Sequence, residues 1–143
     1  MLDRVTAARL IPLFAAAAAA VMGKVEGKGE NWHGHVTAVT VAPEYRRLGL
    51  AQLLMAYLER LSEAAYDGYF VDLYVRKGNA LAVDMYKSLG YVVYRQVIGY
   101  YTAGPGETSE DAYDMHKALP RDKEKKSMVP LPHPVHPGEQ DMW

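Results

Sequence analysis

Trp32-His33-Gly34-His35-Val36-Thr37-Ala38-Val39-Thr40-Val41, followed by Ala42-Pro43-Glu44-Tyr45 and Arg46-Arg47-Leu48-Gly49-Leu50-Ala51, is the stretch on which the fold turns. The first block is rich in β-branched residues and closed by Pro43, which has no N–H to continue a ladder, so it reads as a strand. A period of two puts His33, His35, Thr37, Val39 and Val41 on one face and Trp32, Gly34, Val36, Ala38 and Thr40 on the other. Both faces are mainly apolar at the proline end, which predicts burial there. Beyond the turn, Leu50, Leu53, Leu54, Tyr57, Leu58 and Leu61 recur at three and four residues, the stripe of a helix, with Glu59, Arg60 and Glu63 on its wet side.

The rest of the chain repeats this alternation. Upstream, Val21–Glu26 is a short strand candidate followed by the turn-rich 27–31. Downstream, Tyr69–Val75 reads as a strand, Asn79 as the N-cap of a helix Ala80–Leu89, and Gly90 as its left-handed terminator. Tyr91–Tyr101 and Asp111–Leu119 supply two more strands. Strand, helix, strand, helix, strand predicts an α/β layer with crossover connections. From Pro120 on, Pro130, Pro132, Pro134 and Pro137 and the charge run 121–126 predict an extended or mobile tail over 120–143.

The 143 residues, half of them apolar, suffice for one compact core. Sixteen basic against seventeen acidic side chains give a net charge of -1, so nothing global points to direct nucleic-acid binding or a polybasic membrane anchor. The absence of cysteine excludes disulfides, thiolate metal sites and cysteine nucleophiles, and fits a reducing compartment. Near the start, Arg4 and Arg9 precede the apolar run 10–23, the outline of a targeting signal, but Asp3, Pro12 and the weak hydrophobicity of alanine count against it. The expectation is an Ala-rich helix from about Phe14 to Gly23.

Chemistry concentrates at 46–51. The first turn of a helix carries unpaired N–H groups and the positive end of its dipole; Gly49 and Ala51 let a ligand approach the backbone, and Arg46 and Arg47 add charge. By themselves these six residues read equally well as a solvated turn. Asn79 and Tyr86 are two helical turns apart and share a side of their helix, and their ordinary readings are an N-cap and a core tyrosine. His33 and His35 share a strand face, but two histidines without a third ligand do not make a metal site, and no metal is expected.

Residues 34–51 taken together resemble the fourth strand and pyrophosphate loop of the GNAT acyltransferase superfamily, and Val71–Arg76 and Asn79–Tyr91 resemble the segments that follow. Within it, Trp32–Thr37, Val97-Ile98 with Tyr100-Tyr101, Asp111–Met115 and the tail Lys125–Pro134 are similar to the catalytic subunits of NatB-type N-terminal acetyltransferases. The resemblance implies a mixed central sheet with helices on both faces and a domain at 21–119, set between an unmatched segment 1–20 and the tail. It implies acetyl-CoA as cosubstrate and transfer of acetyl to the α-amine of chains beginning Met-Asp, Met-Glu, Met-Asn or Met-Gln. It also implies a cytosolic setting and a large helical-repeat auxiliary subunit that mediates ribosome association.

By the same resemblance, the backbone at Val39 and Val41 binds pantetheine and Val39 polarises the thioester carbonyl. The N–H groups of Arg47, Leu48, Gly49, Leu50 and Ala51, with Arg46, hold the pyrophosphate. Asn79 orients cosubstrate or peptide, and Tyr86 donates to the departing sulfur. His35 and Thr37 approach the peptide's first two residues. Tyr100 and Tyr101 close over its backbone; as neighbours on a strand they should point to opposite faces, with Tyr101 the better contact. Gly99 stands where the family commonly has an acid. The resembling subunits carry a first strand, two helices and a further strand before the residue matching Trp32, so the N-terminal part of the fold is expected to be incomplete, with a sheet edge uncovered. Two alternatives follow: a form that binds acetyl-CoA or partner without efficient turnover, and a GNAT enzyme acting on other amines.

Overall fold

The computed structural model describes residues 9–10, 15–16 and 19–139. Strands β1 (Arg9–Leu10), β2 (Ala15–Ala16), β3 (Ala19–Glu26), β4 (His33–Val41), β5 (Phe70–Arg76), β6 (Val92–Tyr101) and β7 (Glu110–Ala118) form one mixed sheet in the order β1-β3-β4-β5-β7-β6, with β2 also on β3. Helix α1 (Leu50–Ala64) links the parallel pair β4–β5, and α2 (Ala80–Ser88) leads from β5 to β6. The remaining pairings are antiparallel. The expected α/β layer is present, with β7 inserted between β5 and the edge strand β6.

The expected alanine helix is not. Residues 19–23 lie in β3, and Ala15 and Ala16 in β2; the rest of that expectation falls outside the described residues. Alanine's preference for helix is worth only tenths of a kcal/mol per residue over ordinary residues. Pairing along the whole of β4, with Val21 and Val25 buried, outweighs it.

Two further expectations fail, one on the faces of β4 and one on its proline end. Opposite Met22 and Gly23 stand Ala38 and Val36, so Thr37 is an extra residue, a β-bulge. Past it the faces exchange: Val39 shares a face with Val36 and Gly34, and Ala38 and Thr40 with His33 and His35. Nor is the proline end buried. His33–Val36 are buried, whereas Thr37–Val41 are exposed or half-buried, because β5 stays beside β4 only as far as Val36 opposite Leu73.

The main core lies on the face carrying Val71, Leu73 and Met115, where α1 and α2 both contribute, through Leu54, Met55, Leu58 and Val83. Helix α1 is rotated from its sequence stripe: Leu54, Met55, Leu58 and Ser62 are buried, Leu53 and Tyr57 are 66% and 46% exposed, and Glu59 turns inward to Tyr91 and Lys117. Gly34 explains the rotation. A Cβ at Gly34 would collide with Ser62 Oγ, so the helix packs directly onto the strand backbone there, and Ser62 satisfies its hydroxyl on Leu58 O at 2.8 Å.

The opposite face carries the tail. Leu131 N–H donates to Tyr94 O (2.7 Å), Val135 N–H to Gln96 O (2.9 Å) and Ile98 N–H to Val135 O (2.9 Å), so the tail meets β6 at Leu131 and again at Val135, with a bend at Pro132-His133 between them. Asp122 fixes the preceding turn, accepting from the N–H groups of Lys126 and Ser127 and from Ser127 Oγ. Among the described residues no helix is long and apolar enough to cross a membrane.

Candidate active site

Where β4 parts from β5, its residues Ala38–Val41 keep ladder partners on β3 alone. The gap opens into a cleft of about 940 Å³ between that strand, the 45–52 turn and α2. Val39, Val41, Arg46, Arg47, Gly49, Leu50, Ala51, Asn79, Tyr86 and Tyr101 all line it. Leu48, His35, Thr37 and Tyr100 do not. Tyr74 and Arg76, which sequence reasoning passed over, do.

The turn into α1 is shaped for an anion. Arg47 and Gly49 take left-handed backbone angles, φ 65° and φ 76°, which glycine accepts freely and arginine does not. Gly49 is the N-cap, with no side chain to occupy the first N–H groups of α1. Arg46 is anchored by a hydrogen bond from Nε to Val41 O at 3.2 Å. The lining contains Arg46, Arg47 and Arg76 and neither aspartate nor glutamate, a concentration of positive charge in a chain whose net charge is -1. Arg76 is held by Glu110 at 3.0 Å and lies over the Tyr101 ring.

On the far wall, Asn79 caps α2, accepting from Ala82 N–H at 3.2 Å. Tyr86 packs edge-on to Tyr91, and burial raises its phenol above the ordinary value, so the hydroxyl stays a proton donor across the physiological range. The two tyrosines of β6 do not split between faces. Between Val97 opposite Ala112 and Tyr101 opposite Glu110, β6 carries two surplus residues, at the left-handed Gly99, whose N–H donates to Asp111 Oδ1. Tyr100 therefore stacks on Tyr74 while Tyr101 meets Arg76, and both rings pack on one cluster with Val97, Ala112 and Val135.

Behind this wall lies a buried ionic cluster. Asp72 on β5 takes His35 Nδ1 at 2.7 Å and His33 Nε2 at 3.3 Å on the same oxygen, and His33 also faces Glu26 at 3.6 Å. Farther along β7, Asp114 pairs with Arg95 at 2.8 Å and His116 at 3.2 Å. Burial disfavours charge on His33, but the charge of Asp72 and hydrogen bonds to Asp72 and Glu26 outweigh it and hold His33 up to about 10. Burial likewise opposes a charged Asp72, and the two histidines overcome it, keeping the carboxylate well below its ordinary range. The third group missing from the sequence reading of His33 and His35 is supplied by Asp72, with Glu26 beside it. Its signal was an aspartate inside the apolar run Phe70-Val71-Asp72-Leu73.

The profile of the Acetyltransferase (GNAT) family matches residues 7–91, starting inside the segment the sequence left unmatched. The chain belongs to the GNAT acetyltransferase family. Among its GNAT relatives, it is 63% identical to N-alpha-acetyltransferase 20 of Dictyostelium discoideum over 85% of this chain and 68% of that one. It is 58% identical to the N-terminal acetyltransferase B complex catalytic subunit of Arabidopsis thaliana over 83% and 66%. The crystal structure of Chaetomium thermophilum Naa20 in complex with a bisubstrate analogue superposes with a TM-score of 0.75 at 42% identity, covering 88% of this chain and 72% of that one. The chain spans about two thirds of the length of these two sequence relatives. They place it on the NatB catalytic-subunit branch of the GNAT family.

Proposed function

We propose that this chain transfers acetyl from acetyl-CoA to the α-amine of polypeptides beginning Met-Asp, Met-Glu, Met-Asn or Met-Gln. The observation that carries this reading is the acid-free cleft with three arginines, opened by the parting of β4 from β5 at the N-terminus of α1. A diphosphate fits the N–H groups from Arg47 to Ala51, and an extended pantetheine arm fits the unpaired side of β4.

The chain's own groups then account for the chemistry. The N–H groups at Val39 and Val41 bind the arm, and that of Val39 stabilises the oxyanion as the carbonyl becomes tetrahedral, the contribution usually largest in acyl transfer. The amine nitrogen forms the new C–N bond and gives its proton to water, an undemanding step because a chain α-amine has an ordinary pKa of about 7.7–8.0. The C–S bond breaks, and Tyr86 donates to the departing sulfur. Asn79 steadies that end of α2, His35 and Thr37 face the peptide's first residues, and Tyr100 and Tyr101 lie over its backbone.

The names of the relatives support a complex with an auxiliary subunit; a helical-repeat subunit on the ribosome, in the cytosol, completes the proposal. The test offers Met-Asp and Ser-Ala peptides with acetyl-CoA, with and without that subunit. Product from Met-Asp alone supports the reading. Acetyl-CoA binding without product from either peptide, or acetylation of an internal lysine instead, refutes it.

A further inference from the structure

The ionic cluster of Glu26, His33, His35 and Asp72 reaches the cleft wall at Tyr74. Asp72 is fully enclosed on the central strand β5, and the two histidines that meet it differ in one respect: the side chain of His33 is 0% exposed, that of His35 11%. His35 is the histidine that reaches solvent, beside Tyr74 on the cleft wall, ring centroids 5.4 Å apart. Its Nδ1 is taken by Asp72, so Nε2 is the atom left for a ligand.

We propose that Asp72 is a positioning residue for substrate selection, holding His35 through Nδ1 so that a protonated Nε2–H meets the peptide's second side chain and favours carboxylates over amides. The proposal rests on the reading above that His35 faces that side chain. A charged donor to a carboxylate makes a hydrogen bond roughly twice as strong as a neutral one. Once neutral, with Nδ1–H still donated to Asp72, the ring offers Nε2 as an acceptor, which takes the N–H of Asn or Gln and repels Asp or Glu.

The surroundings favour the charged form. Facing His35 are Lys24 and Glu26 on β3, His33 on β4, Asp72 and Tyr74 on β5, and Asp114 and His116 on β7, with Arg95 of β6 behind Asp114. Lys24 is spent on Glu26 at 3.0 Å and Arg95 on Asp114 at 2.8 Å. Burial lowers the affinity of His35 for its proton, while the adjacent Asp72 charge and hydrogen bond and the Glu26 charge outweigh burial and His33, raising it above the ordinary imidazole value.

The experiment measures kcat/KM for two peptides differing only in Asp or Asn after Met, from about pH 6 to 9.5, using the full chain with its auxiliary subunit. The α-amine titrates alike in both, so their ratio isolates the second side chain. The expected Asp/Asn ratio falls at least about tenfold as pH rises, mainly through KM. Asp72→Asn lowers the ratio at neutral pH and flattens the profile. Should that variant not fold, His35→Gln is read instead, and it gives a flat ratio. A wild-type ratio independent of pH, or a folded Asp72→Asn with the wild-type profile, overturns the proposal. If His35→Gln leaves KM for both peptides unchanged, the underlying placement of His35 is what has failed.

Discussion

His35 Nδ1 and Asp72 Oδ1 meet at 2.7 Å across the parallel pair β4–β5, directly opposite in the ladder register. The bond ties the last firmly paired stretch of β4 to the centre of the sheet, one step before the strand leaves β5. Removing the carboxylate strands two buried histidines. Asp72→Ala is expected to cost about 3–5 kcal/mol, the range for breaking a buried pair from one side, measured by urea denaturation near neutral pH.

Stability should fall on the alkaline side. His33 has its folded value raised from 6.5 to about 10, so its contribution is complete below about 6.5 and lost as pH rises through about 10. Asp114, pushed up to about 6 first by burial and then by the Asp72 charge, has the same sign, favouring the folded state at low pH and losing that contribution as pH rises through about 6. Glu26, lowered to about 2 by its His33 hydrogen bond, is complete above about 4.5 and lost toward about 2. A fall in Tm of at least about 4 °C between neutral pH and pH ~10, which about 1 kcal/mol produces in a domain of this size, is the expected result of differential scanning fluorimetry. A flat Tm there would contradict the protonation of His33.

Reversing a charge at the turn should act on the cosubstrate alone. Arg47→Glu is expected to weaken acetyl-CoA binding by at least about tenfold, or about 1.4 kcal/mol, with an unchanged Tm of the ligand-free protein. Isothermal titration calorimetry reads this, and an unchanged affinity would remove the pyrophosphate from residues 47–51.

Tyr86→Phe separates chemistry from binding. Loss of the hydroxyl should lower kcat more than it raises KM, because the interaction forms as the C–S bond breaks. A KM effect alone, in steady-state kinetics with a Met-Asp peptide, would make Tyr86 a wall of the cleft.

Gly34→Val should be among the most damaging single changes. The new side chain meets Ser62 Oγ and Cβ on α1, and overpacking a tight interface costs about 1–3 kcal/mol or more. Chemical denaturation should show this, and Ser62→Gly in the same chain should recover part of the loss.

What the sequence determined by itself was local. The alternation of strands and helices, the Asn79 cap, and the turn at 46–51 follow from spacing and residue type, because caps and glycine turns draw on interactions within a few residues. Which side chains meet was decided by tertiary structure. The bulge at Thr37 shifts the ladder by one residue and exchanges faces that period-two reading had fixed. The two surplus residues at Gly99 instead keep Val97 and Tyr101 on one face and leave Tyr100 out of the ladder, on the side of Tyr101. Strand pairing overrode alanine's helix preference at 19–23, since a ladder with β4 and burial of Val21 and Val25 outweigh a propensity of tenths of a kcal/mol. The partnership of Asp72 with His33 and His35 spans more than thirty positions of chain. Only the parallel crossover through α1 brings those groups together.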